Sequence, residues 1–388
     1  MHIPEPTAFD SRLDSREPID VLVIGAGQAG LAVGHHLARR GLRFLLVDAG
    51  PELGHTWRSR WDSLRLFTPA EYDALPGMPF PAAAGTYPGK DQVADYLAAY
   101  ATRFDLSVAL GTRVEHVEEV AGEPDGLFRV DTSRGTLLAR QVVVATGPFQ
   151  QPRVPAVDAG FAAPVSQVHS SAYRNPDQLP PGRTLVVGAG NSGLQIALEL
   201  SRSREVHLAV GTRQKAVPQR PLGRDLFWWL TRTGLITRPA TSPIAAWFRK
   251  RGGDLVIGTT WSDVEAAGIA VHPRLTGAAG RSATFADGSR IDDVAAVVWA
   301  TGYRPAYPWL DVPGVWDGAE VHHVRGRTRV PGLWFIGLPW QHSRGSALLG
   351  FVGDDAAWLS DEVAAHAAQP NRAAASAAAS SAGVDQQR

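Results

Sequence analysis

There is no cysteine in the 388 residues. This excludes disulfides, thiolate metal sites and any redox-active cysteine pair of the chain's own. An excess of charge of one sign is also missing. Lys plus Arg and Asp plus Glu number 38 each, so the formal net charge is zero. Bulk charge therefore gives no reason to expect nucleic acid as a partner. No apolar run approaches the roughly 18 residues that span a bilayer, and no integral membrane contact is expected. The opening MHIPEPTAFDSRLDSREPID has neither an apolar core nor a cleavage signal, so the expected location is cytoplasmic. With 44% hydrophobic and 20% charged residues, the chain reads as an ordinary globular protein with length for two or three domains.

What is present is organised around Asp20 to Asp48, DVLVIGAGQAGLAVGHHLARRGLRFLLVD. An apolar run leads into Gly25-Ala26-Gly27-Gln28-Ala29-Gly30, a helical pattern follows, and a second apolar run ends on Asp48 and Ala49. Gly25 allows a tight turn, Gly27 lets backbone approach a pyrophosphate, and Gly30 seats the helix on the strand. The helix N-terminus offers free N–H groups and partial positive charge to phosphate. Asp48 follows Gly30 by eighteen residues, close to where the fingerprint places a ribose acceptor.

The pattern then recurs. Strand-like runs after Ser107 return to Val142–Val144 and end in Ala145-Thr146-Gly147. A second apolar run opens into Gly188-Ala189-Gly190-Asn191-Ser192-Gly193, and a second meander, IAVHPRL and SATFADGSRI, leads to Ala300-Thr301-Gly302. Two Gly-rich units, two meanders and two Ala-Thr-Gly strand ends form an internal repeat. The expected fold is α/β: two Rossmann-like, three-layer dinucleotide-binding domains, each with an antiparallel meander. The repeats differ where chemistry differs. The first unit's second strand ends in Asp48, the second's in Gly211-Thr212-Arg213. An acid favours an unphosphorylated ribose and arginine a 2′-phosphate, so the halves are assigned to FAD and NADPH. The expected boundaries are 18–150 plus 296–368 for the FAD domain and 151–295 for the NADPH domain, with loose tails at 1–17 and 369–388.

Between these units lie segments without period. The loop from Gly50 to Pro81 is rich in Pro, Gly and aromatics, and Trp57, Arg58 and Trp61 are candidates to line the flavin or adenine; ordinary core packing is the alternative for the tryptophans. The inserted 215–260 segment carries bulky clusters at Leu226–Leu230 and Trp247-Phe248. A cap over the site, a homodimer contact, a membrane-surface contact and packing on the domain's own core are all open readings. PGLWFIGLPW reads as a strand ending at Gly337, followed by a helix from about Asp354 whose first amides could face the flavin. His35-His36 and His322-His323 lack metal-ligand spacing and are given no role.

GAGQAG, TWRSRWDSLRLFTP with LPGMPFP, VVVATGPF, VHSSAYRNP, GAGNSG and VVWATGYRP together resemble the class B flavoprotein monooxygenases, over nearly all of Asp20 to Ala365. That group contains flavin-containing, N-hydroxylating and Baeyer–Villiger monooxygenases. The resemblance implies FAD and NADPH as cofactors, O2 and a small molecule as substrates, and oxygen transfer through a flavin 4a-hydroperoxide. In FAAPVSQVHSSAYRNP only the His169 and Tyr173 end of the group's identifying motif is intact. Tyr173 in place of tryptophan leans towards nitrogen or sulfur oxygenation over Baeyer–Villiger chemistry. The segment is implied to be an interdomain hinge, with His169 structural. Near Asp62 the animal enzymes carry an asparagine at the flavin; Asp62, with Arg58 and Arg65, is the candidate catalytic set here. An NADPH oxidase or reductase without oxygen insertion is the enzymatic alternative. A non-catalytic binding protein using Trp228-Trp229 is the other.

Overall fold

The computed structural model describes residues 17–122, 126–250, 255–318 and 320–369. Both expected tails, except Glu17 and Gln369, lie outside the described residues, as do the turn residues Pro124 and Asp125.

The first unit is built on Ile19–Ile24, whose side chains are almost all buried. This strand runs parallel to Phe44–Val47 on one side and to Gly135–Val144 on the other. The strand Gly135–Val144 serves two layers. Its first half is antiparallel to Phe128–Thr132, which pairs with Val114–Glu119 as the expected meander. Its second half enters the parallel sheet, where Leu333–Phe335 adds alongside. One face of this sheet is covered by the helices Gln28–Arg39, Lys90–Arg103 and Val352–Ala367, with Leu31, Leu37, Tyr96, Tyr100 and Leu359 packed between them. The opposite face packs Leu22, Val130, Val142 and Phe335 with Tyr307.

The second unit repeats the plan with a five-stranded parallel sheet. Its spatial order is Ala270–His272, Val206–Ala209, Arg183–Val187, Val294–Trp299, Ser166–His169. The helix Asn191–Leu200 covers one face, through Leu194 and Ile196. An antiparallel meander, Leu275–Ala279, Ser282–Phe285 and Arg290–Ile291, covers the other. The two-unit α/β architecture is as expected.

Two boundaries differ from expectation. The run IAVHPRL does not belong wholly to the meander. Ala270–His272 joins the parallel sheet, Pro273 interrupts the run, and the meander starts at Leu275. Proline has no N–H to donate to a ladder, so the strand changes sheet there. The return to the first unit also comes later than residue 296. Val294–Trp299 is a strand of the second sheet, and the chain rejoins the first at Leu310–Asp311, beside Val114–Glu119. Among the described residues, no helix is long and apolar enough to cross a membrane.

Candidate functional site

At the first turn each glycine has its own steric reason. Gly25 has φ +106°, and a Cβ there would lie 2.7 Å from the Ala145 carbonyl oxygen. At Gly30 a Cβ would lie 1.9 Å from the Gly25 oxygen, so the helix rests directly on the turn. At Gly27, the N-cap of Gln28–Arg39, a Cβ would meet nothing within 4 Å. Open space therefore lies before the free amides of Gln28, Ala29 and Gly30. Asp48 stands beside it: its Oδ2 accepts the Ala26 N–H and its Oδ1 the Gly50 N–H, both at 2.7 Å. Ala49 is exposed on this rim. Gly337 reaches the helix start, where a Cβ would come 3.0 Å from Ala29 Cβ, and the Gln28 amide donates to the Ala347 carbonyl at 3.1 Å. The Ala145 N–H donates to Ile24 at 2.8 Å, and Thr146 and Gly147 accept from Gln150. Asp354 lies in the first turn of Val352–Ala367, its side chain exposed.

The second turn reproduces these relations. Gly188 has φ +109° and would clash with Ala300, and a Cβ on Gly193 would lie 2.0 Å from the Gly188 oxygen. Gly190 again faces open space. The Ala300 N–H donates to Val187 at 2.8 Å, as Ala145 does to Ile24. A cavity of about 570 Å³ opens here, bounded by Gly188, Gly190, Thr212, Arg274 and the Ala300–Gly302 strand end. Ser192 is half-buried at the helix start. Asn191 is turned elsewhere, bonding the Leu255 carbonyl and the Ile257 N–H at 3.0 Å each. Arg213 does not border the cavity; its guanidinium lies 4.4 Å over the Trp261 ring. Arg153 and Arg274, which do, carry no motif signal. The one signal for Arg274 is its place just after a strand whose C-terminal end lies at the ligand-binding edge.

The units are joined by paired linkers. Gln151–Pro152 runs antiparallel to Tyr303–Arg304, and the Arg153 N–H donates to Gly302 at 3.0 Å. Thr301 donates its hydroxyl to the Arg153 carbonyl. His169 holds this crossing. Its Nδ1 accepts the Ser171 N–H at 3.1 Å, which leaves Nε2–H to donate to the Gly302 carbonyl at 3.1 Å. Burial lowers its pKa, the Gly302 hydrogen bond opposing and Arg60 adding to the effect. The segment VHSSAYRNP is not itself the connection. Ser166–His169 is an edge strand of the second sheet, and the buried Tyr173 donates to Glu199 at 2.7 Å.

The three catalytic candidates border the start of the helix Lys90–Arg103, where Lys90 donates to the Arg58 carbonyl at 3.2 Å and lies 3.7 Å from Asp62. Arg58 is held by Asp95 at 2.7 Å and by Glu52 at 3.3 Å. Asp62 is exposed and accepts from the Asn175 amide at 2.8 Å, and Arg65 is exposed where its backbone meets Gly89. The loop buries Trp61 and Leu64 and leaves Asp62 and Arg65 exposed. Trp61 and Leu64 lie in the second unit's core beside Leu194, with Trp57 partly buried against both units. Trp61 thus follows the packing alternative.

Instead, aromatic residues from three segments meet. Phe67 stacks on Phe227 with centroids 5.9 Å apart, and Tyr72 on Phe351 at 6.5 Å. The inserted segment is thereby packed onto the first unit's long loop. Leu226 and Phe227 are buried there with Ile236 and Ile257. Asp225 accepts from the Tyr87 hydroxyl at 2.7 Å and from Gln219 at 2.9 Å, fixing the seam.

Asp73 lies buried in the same loop. Thr68 donates to its Oδ1 at 2.5 Å, and its Oδ2 has no hydrogen-bond partner among the described residues. Burial pushes its pKa from 3.8 up to about 7, overcoming the Thr68 hydrogen bond. An acid with a raised folded pKa binds its proton more tightly folded than unfolded. It contributes stability below the ordinary carboxylate range, and that stability is lost as pH rises through about 7. Asp73→Asn should therefore gain stability on the order of 3 kcal/mol near pH 8 and little near pH 4. Urea unfolding at both pH values checks this; an equal gain at each would refute it.

Comparison with known proteins follows the same lines. Residues 22–223 match the family described as pyridine nucleotide-disulphide oxidoreductase. The chain is 44% identical to an uncharacterized oxidoreductase CzcO-like of Geobacillus kaustophilus, over 90% of this chain and 99% of that protein. It is 30% identical to the indole-3-pyruvate monooxygenase YUCCA1 of Oryza sativa subsp. japonica, over 85% and 86%. The solved flavin-containing monooxygenase of Stenotrophomonas maltophilia superposes with a TM-score of 0.76 at 30% identity, over 91% of this chain and 100% of that one.

Proposed function

We propose, from the premise that this chain belongs to the pyridine nucleotide-disulphide oxidoreductase family and is a class B flavin monooxygenase-like enzyme using FAD and NADPH, that it inserts one atom of O2 into a small substrate at nitrogen or sulfur. The observation that carries this reading is the doubled cradle. Two Gly-rich turns with the same close approaches each leave open space before a helix N-terminus. The residues fit a pyrophosphate at both.

The first cradle would hold FAD. The amides of Gln28 to Gly30 would face its pyrophosphate and Asp48 its ribose, and Gly147, Gly337 and the Asp354 amide would border the remainder. The second would hold NADPH between Gly188–Gly193 and Ala300–Gly302. Bound, these groups supply hydride and the activation of O2. The chain's own part is positional. His169 and the paired linkers set one cradle against the other. The aromatic seam of Phe67, Tyr72, Phe227 and Phe351 would give that site an apolar wall against water. With no cysteine, the chain cannot turn over a disulfide through its own thiols. The reading carries with it a cytoplasmic enzyme.

The test is stoichiometry. NADPH oxidation is followed with a panel of amines, sulfides and ketones while hydrogen peroxide is measured in parallel. An N-oxide, hydroxylamine or sulfoxide formed in near-equal amount to NADPH consumed is expected. Peroxide accounting for all the NADPH with every compound would leave an oxidase, and an ester from a ketone would overturn the choice of nitrogen or sulfur.

A further inference from the structure

We propose that Arg274, and not Arg213, reads the 2′-phosphate of the dinucleotide in the second cradle; this rests on the NADPH reading above. The fingerprint places the adenine ribose at the end of the unit's second strand, here Gly211 and Thr212 after Val206–Ala209. Both residues border the cavity. The next residue, Arg213, turns away. Its guanidinium stacks on Trp261, whose indole N–H donates to the Gln214 carbonyl at 3.2 Å and so fixes the ring. Trp261 opens a helix capped by Thr260 and Asp263, which holds that platform in place.

Arg274 arrives from the neighbouring strand. Ala270–His272 runs parallel to Val206–Ala209, pairing His272 with Ala209. Pro273 then has a fixed φ, and Arg274 emerges beside the second strand's end. Its Nη2 lies 3.4 Å from the Gly211 carbonyl oxygen. A Cβ on Gly211 would come within 3.3 Å of the guanidinium, so the absent side chain there is what admits it. Among the described residues no carboxylate pairs with Arg274, whereas Arg183, at the opposite end of the second sheet, is taken by Glu205. A planar guanidinium without an acidic partner, at the ribose position of a nucleotide cavity, suits a phosphate dianion, which it can bind through two parallel hydrogen bonds. Arg153 also borders the cavity, but its backbone is committed to the linker at Gly302 and Thr301, on the strand-end side away from Gly211.

The probe is 2′,5′-ADP against 5′-AMP, titrated into the purified full chain by calorimetry. Neither compound can react, so turnover does not enter. The wild type is expected to bind 2′,5′-ADP at least tenfold more tightly. Arg274→Ala should remove most of that preference, leave 5′-AMP within about twofold, and be partly rescued in Arg274→Lys. Arg213→Ala should keep the preference. Loss of the preference in Arg213→Ala, its retention in Arg274→Ala, or an equal loss for both ligands would overturn the assignment. A wild type that does not distinguish the two ligands would overturn the NADPH reading itself, and with it the role of any arginine. In turnover, Arg274→Ala should raise the KM for NADPH at least tenfold with the KM for NADH little changed.

Discussion

Gly27→Ala should give a folded, colourless protein, and Gly30→Ala should give little folded protein at all. The substitutions lie three residues apart in one helical turn, yet the added methyl meets different things. At Gly27 the backbone has φ −77°, which alanine adopts freely, and the methyl meets no protein atom within 4 Å. It enters only the space proposed for the FAD pyrophosphate. The protein should therefore keep its far-ultraviolet circular dichroism and lose its visible flavin absorbance. At Gly30 the methyl would stand 1.9 Å from the Gly25 carbonyl oxygen, in a turn already held against Ala145. Helix and strand must separate, at a cost on the order of 3 kcal/mol or more. Gly190→Ala and Gly193→Ala should repeat the contrast in the second unit, with NADP⁺ binding as the readout. Gly27→Ala purified with a full complement of FAD would sink the placement of the pyrophosphate. A normally stable Gly30→Ala would sink the steric account.

Arg325→Met should destabilise the protein by about 3–5 kcal/mol, because it strands a buried carboxylate. Asp355, its side chain only 5% exposed, receives the Arg325 Nε–H at 3.0 Å. The same guanidinium lies 4.9 Å over the Trp358 ring. Together these contacts pin the hairpin His323–Val324 and Arg327–Thr328 to the helix Val352–Ala367. Arg325 has φ +52°, a strain that methionine would share, so the difference reports the charge pair. Arg325→Met with Asp355→Leu should recover most of the loss, since neither charge is then buried alone. Urea unfolding of the wild type and the two variants checks this. A loss under about 1 kcal/mol in the single variant would show that water reaches Asp355.

The legible parts of the chain were those where the backbone carries the chemistry. The glycines at 25, 27 and 30 have three distinct roles in the sequence pattern; the close approaches at Gly25 and Gly30 match two of them, and Gly188 and Gly193 make the same approaches at the second turn. The repeat also fixes where the second unit ends. Ala145 lies beside the strand that feeds its own turn, so Ala300 had to do the same, which keeps Val294–Trp299 in the second unit. Charged side chains were far less legible. Arg58, Asp62 and Arg65 share a loop, yet their side chains are taken up around the start of the helix Lys90–Arg103, with Asp95 on Arg58, Asn175 and Lys90 on Asp62, and Gly89 beside Arg65. A loop sequence does not say which side of it faces the core.

Sequence alone determined the α/β class, the two turns, the doubling and the exclusion of cysteine chemistry. Each depends on local backbone conformation or on the mere presence of a residue type. Tertiary structure decided what stands around the turns: Arg274 in place of Arg213 at the second cavity, Phe227 stacked on Phe67, His169 on the crossing linker. These are partnerships between segments tens to more than a hundred residues apart. They are settled by which strands lie side by side and which faces of a loop are buried, and no short stretch of sequence contains that information.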